Sequence, residues 1–78
     1  MGKSIADFTE VIKREPSVPI TYVERGRGYM IRGDQDQAIA DYDKAIELDP
    51  DLSDAYEFRG SAYSHKGEYV SAVADYSA

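Results

Sequence analysis

Seventy-eight residues allow one small domain, near the length at which a lone core suffices only if its helices pack closely or a partner helps. No cysteine is present, so neither a disulfide framework nor a thiolate metal site can supply that help. A formal net charge of −6 repels phosphate backbones and argues against nucleic acid as a general partner.

No apolar run approaches the ~18 residues of a membrane span. The start, Met1-Gly2-Lys3-Ser4-Ile5-Ala6, is too polar for a secretory signal. Gly2 suits myristoylation, but Ala6 stands where Ser or Thr is expected. With these features and no cysteine, the cytoplasm is the expected compartment.

Five helices are predicted in chain order. The first covers roughly 3–14, with Ile5, Phe8, Val11 and Ile12 as its apolar residues. The second covers 19–32: Pro19 suits a first helical turn, and Tyr22, Gly26, Tyr29 and Gly33 recur at spacings of three and four. Gly33-Asp34 reads as a stop followed by a cap-type residue. The third covers 36–48, with a stripe of Ala38, Ile39, Tyr42, Ala45, Ile46 and Leu48. Asp49-Pro50 ends it, because proline disfavours helix in the residue before it. Ser53 or its neighbour is expected to cap the fourth, 53–66, and the fifth covers 69–77.

The chain also repeats itself with an offset of 34 residues. Tyr22, Arg25, Gly26, Tyr29, Gly33, Ala38, Ala40, Asp41 and Tyr42 return as Tyr56, Arg59, Gly60, Tyr63, Gly67, Ala72, Ala74, Asp75 and Tyr76. Shifted the other way, Ile39, Ala40, Asp41, Ile46 and Pro50 match Ile5, Ala6, Asp7, Ile12 and Pro16, with Phe8 opposite Tyr42. Tyr22-x2-Arg25-Gly26-x2-Tyr29, then Ala38-x3-Tyr42, then Pro50, resembles the tetratricopeptide (TPR) pattern W-x2-L-G-x2-Y…A-x3-F…P. The next copy fits equally well.

The resemblance implies an all-α, TPR-like helix-turn-helix solenoid of about two and a half repeats. Residues 1–78 form one domain: a half repeat at 1–18, a full repeat at 19–52 and a partial one at 53–78. Small residues (Gly26, Ala38, Ala45 and their copies) would let helices approach, and Tyr22, Tyr29 and Tyr42 would fill the space between.

Arg25 and Arg59 stand where the family pattern has leucine. Buried charges need partners, and Asp7, Asp41 and Asp75 recur with the same offset. Two readings stand: an alternating ladder Asp7–Arg25–Asp41–Arg59–Asp75, or arginines lying flat on the surface beside solvated aspartates.

Catalytic and cofactor chemistry has little material. His65 is the sole histidine, so a nucleophile–base pair or a histidine metal pair is not expected. Asp34-Gln35-Asp36 lacks the rest of a calcium loop and reads as acids at a helix N-terminus. Gly26-Arg27-Gly28 falls within a helix, not after a strand, so it reads as packing rather than a phosphate cradle. The tyrosines lack a basic face on which bases would stack. No enzyme, cofactor or metal is expected.

The resemblance implies instead a protein or peptide partner held in a concave groove lined by the first helix of each repeat. The candidate residues are Ile20, Val23, Glu24, Arg27, Met30 and Ile31, then Asp54, Glu57, Phe58, Ser61, Ser64 and His65. Exposed Val23, Met30, Ile31 and Phe58 would form an apolar contact patch; the alternative is that some pack on neighbouring helices. No asparagine is present for a carboxylate clamp, and Glu24, Asp54 and Glu57 would repel a terminal carboxylate, so an apolar or basic peptide is expected. A second expectation concerns the ends. Ile5, Phe8, Val11 and Ile12 at one end, and Tyr69, Val70, Val73, Ala74 and Tyr76 at the other, want cover. A second copy (homo-oligomer) or a longer array of which this is a fragment would provide it.

Overall fold

A computed structural model of the chain describes residues 4–76, without the side chains of residues 69 and 70. Residues 3 and 77, the expected outer limits of the first and last helices, lie outside the described residues, as does Met1-Gly2. The helices are α1 (Ile5–Arg14), α2 (Pro19–Arg32), α3 (Gln35–Leu48), α4 (Ser53–Lys66) and α5 (Tyr69–Tyr76).

The helix ends follow from local chemistry. Ser4 and Asp7 form a capping box at α1, each side chain bonding the other's backbone N–H. Pro19 opens α2. Gly33 ends it at φ 88°, in the left-handed region, and Asp34 N–H reaches the Tyr29 carbonyl at 2.9 Å. Gly67 ends α4 in the same way, at φ 87°. Asp49 closes α3 just before Pro50.

Two caps differ from expectation. Asp34 occupies the N-cap position of α3 without a side-chain cap bond; its carboxylate pairs with Arg32 at 2.9 Å instead. The N-cap of α4 is Leu52, and Ser53 is the first helical residue. Leu52 packs against the core, so burial rather than a hydroxyl bond sets that boundary.

Each helix packs on the next in the chain, and α2 also touches α4 directly. The resulting stack measures 35 × 26 × 17 Å. Its core joins Tyr22, Val23, Ala38, Ile39, Tyr42, Ala45, Ala55 and Ala62. Alanines and glycines bring the helices close; the tyrosines occupy the space left. At Gly26 the approach is close enough that a Cβ would stand 2.5 Å from the Tyr42 ring. Tyr22 adds a polar tie, its hydroxyl donating to the Pro16 carbonyl at 2.7 Å.

Candidate protein-binding surfaces

Two buried ion pairs shape the region. Arg25 on α2 forms a two-pronged bond with Asp41 on α3, Nε to Oδ2 at 2.8 Å and Nη2 to Oδ1 at 2.7 Å. Arg59 on α4 repeats it with Asp75 on α5, at 2.8 and 2.7 Å. Both aspartates are buried, so the hydrogen bonds to them raise the affinity of each guanidinium for its proton above the usual arginine value.

The arginines therefore do not lie flat on the surface, and two rungs of the expected ladder form. The connecting rungs differ. Arg25 reaches back to the Thr9 hydroxyl at 3.2 Å, not to Asp7. Arg59 reaches back to Asp43 at 2.6 Å, not to Asp41. Asp41 has both oxygens engaged by Arg25, and the residues facing the rear of each guanidinium lie two positions further along the helix, Thr9 and Asp43. Asp7 serves the α1 cap.

Of the twelve candidate groove residues, five converge. Arg27, Met30 and Ile31 on α2 face Phe58 and Ser61 on α4 across a cleft of about 200 Å³. The sixth lining residue is Tyr42 from α3, assigned by sequence only to the core. It stacks on Phe58 with centroids 6.0 Å apart, and the Arg27 guanidinium lies 5.0 Å from the Phe58 centroid. Spacing marked Tyr42 as a residue filling the space between helices; its ring is buried, 1% exposed, and meets the cleft only as part of its wall.

The other candidates go elsewhere. Val23 is 1% exposed and packs in the core cluster, correcting its place in the apolar patch. Ile20 and Glu24 line a separate crevice with Asp7, Phe8, Val11 and Thr21. Asp54 and Glu57 are exposed and Ser64 is half-buried. His65 is exposed, its Nδ1 2.8 Å from the Ser61 carbonyl oxygen. Met30 and Phe58 are half-buried, while Ile31 is 89% exposed. At the ends, Val73 and Tyr76 are exposed whereas Ile12 packs on the core; the Tyr69 and Val70 side chains lie outside the described residues.

The acids of Asp34-Gln35-Asp36 are partnered by cations: Asp34 by Arg32, and Asp36 by Lys66 from α4. No group of three His, Cys, Asp or Glu side chains suited to a metal occurs among the described residues. No described helix is long and apolar enough to cross a membrane.

Burial pushes the Tyr42 hydroxyl up to about 12. Its folded value lies above the unfolded value of about 10, so neutral Tyr42 contributes its full stability below pH ~10, and that contribution is lost as pH rises toward ~12. Between pH ~9 and pH ~11.5, the stability measured in denaturant melts should fall less for Tyr42→Phe than for the native chain.

The 34-residue geometry is thus reproduced in space: arginine to aspartate and glycine to tyrosine, twice. A family profile described as TPR repeat matches residues 26–67. The chain belongs to the TPR family. TPR repeats mediate protein–protein interaction and generally serve as non-enzymatic scaffolds. Two solved structures, titled as crystal structures of MamA and of MamA protein, superpose on this TPR chain with a TM-score of 0.89 and 30% identity. They cover 94% of this chain, which spans 43% and 40% of theirs. A comparison with curated protein sequences returned no match.

Proposed function

We propose that this TPR chain binds an apolar or basic peptide of a partner protein in the cleft between α2 and α4. The observation that carries the reading is the cleft itself: Met30, Ile31 and the stacked Tyr42–Phe58 pair form an apolar seat with Arg27 at its rim. Such a seat suits one large apolar side chain. Exposed Glu57 and Asp54 on α4, in a chain of net charge −6, favour lysine or arginine beside that anchor.

Selection from a random peptide library tests this. Selected peptides should pair an apolar residue with a basic one. Their affinity should fall about tenfold with Phe58→Ala, and also with Ile31→Asp, whose exposure leaves the fold unaffected. Acidic selected peptides, or indifference to both substitutions, would reject the cleft.

A second reading is self-association through α5. Val73 and Tyr76, 62% and 56% exposed, favour it. Light scattering should then give a mass that falls toward 8.7 kDa on dilution; a constant monomer mass would exclude it.

A further inference from the structure

Three aspartate–aromatic pairs recur in register: Asp7-Phe8, Asp41-Tyr42 and Asp75-Tyr76. Two are occupied alike. A helix delivers an arginine to the aspartate and, from the next residue, a glycine to the ring: Arg25-Gly26 to Asp41-Tyr42, and Arg59-Gly60 to Asp75-Tyr76. The arginine lies sixteen residues before its aspartate in both cases. A Cβ at the glycine would approach the ring, to 2.5 Å at Gly26, where the ring is buried, and to 3.0 Å at Gly60, where it is exposed.

The third pair is not occupied in this way among the described residues. Asp7 accepts from the Ser4 backbone N–H at 3.3 Å. Phe8 lines an open crevice of about 380 Å³ with Val11, Ile20, Thr21 and Glu24. One repeat later, the counterparts of Phe8, Val11 and Thr21 are Tyr42, Ala45 and Ala55, all buried in the core that α2 completes. The chain's own second repeat thus serves as a template for what covers the first.

We propose that the crevice between α1 and α2 seats a helix of a partner protein whose apolar face carries arginine followed by glycine. The arginine pairs with Asp7, and the glycine lets the partner backbone lie against Phe8. Glu24 in the same crevice, and the net charge of −6, reinforce the preference for a cationic residue. Specificity comes from the glycine, because any side chain there meets the ring. The seat is a different surface from the α2–α4 cleft and does not depend on peptide binding there.

The probe is written in the chain itself. A blocked peptide of residues 53–67 carries Arg59-Gly60 in the required helix. It is titrated to millimolar concentration, since an isolated helix of this length is mostly unfolded, into the isotopically labelled chain and followed by NMR. In parallel, a second copy of residues 53–68 is fused directly ahead of Met1, which sets its arginine sixteen residues before Asp7. The fusion should raise the melting temperature. The free peptide should bind saturably, with shifts at Phe8, Val11 and Ile20, and should weaken at least about tenfold when it carries Arg59→Ala or Gly60→Val.

Shifts centred on Met30 and Phe58, or indifference to Gly60→Val, would overturn the proposal. So would a free peptide that does not bind while the fusion stabilises, which would restrict the seat to a helix continuous with the chain. Failure of both, or self-association through Asp7 and Phe8 that the peptide cannot displace, would overturn it as well.

Discussion

Arg25→Leu should destabilise the fold by about 3 kcal/mol, because it strands the Asp41 carboxylate in a buried site with no counter-charge. In a domain of this size that loss lowers the melting temperature by roughly 12–24 °C. It is a large share of the total stability, so the variant is best measured cold or in stabilising osmolyte. The double variant Arg25→Leu/Asp41→Leu should return to within about 1 kcal/mol of the native chain, since apolar replacement of a whole buried pair is often nearly neutral. Urea melts of the four proteins of the cycle give the coupling energy. Additive losses would mean that the pair is not a unit. Arg59→Leu should behave similarly despite its extra contact to Asp43. That carboxylate is half exposed and simply rehydrates, so its pairing is worth only about 0–1 kcal/mol.

Alanine at Gly26 and at Gly60 should have opposite effects, although the two glycines are equivalent in sequence. Each substitution gains about 1 kcal/mol of helix propensity. At Gly26 the new methyl would lie 2.5 Å from Tyr42, whose ring is fully buried between α2 and Phe58 and has nowhere to move. Overpacking of about 1–3 kcal/mol should outweigh the gain. At Gly60 the neighbour is Tyr76, at 3.0 Å and 56% exposed, whose ring can swing outward. Thermal melts should show Gly26→Ala less stable than native and Gly60→Ala equal to it or up to about 1 kcal/mol more stable. Equal losses at both would mean that Tyr76 is held as firmly as Tyr42.

Much of this architecture was legible in the order of residues. Helix periods, the glycine stops at Gly33 and Gly67, and the break at Asp49-Pro50 act within a turn or two of the chain, where local rules suffice. The recurrence of Arg25, Asp41, Arg59 and Asp75 was compatible with buried pairs, because a buried charge demands a partner, and equally with arginines flat on the surface; burial of the aspartates decided between them. The candidate cleft was legible only in part. Arg27, Met30 and Ile31 on α2, and Phe58 and Ser61 on α4, were legible as matching helical faces of successive repeats. Val23 was misplaced and Tyr42 missed, since both errors concern which side of a stripe a neighbouring helix covers.

By itself, then, the sequence determined five helices and their 34-residue repeat, which follow from spacing, and carried the resemblance to the TPR family; it offered the arginine–aspartate ladder as one of two readings. Only the tertiary structure decided that Thr9 and Asp43 flank the guanidinium groups, that Val23 turns inward and that buried Tyr42 forms part of the cleft wall. Those outcomes depend on how far each helix is rotated about its axis against the next. That rotation is set by contacts summed over the whole stack, such as Gly26 against Tyr42 and Phe58 against Tyr42.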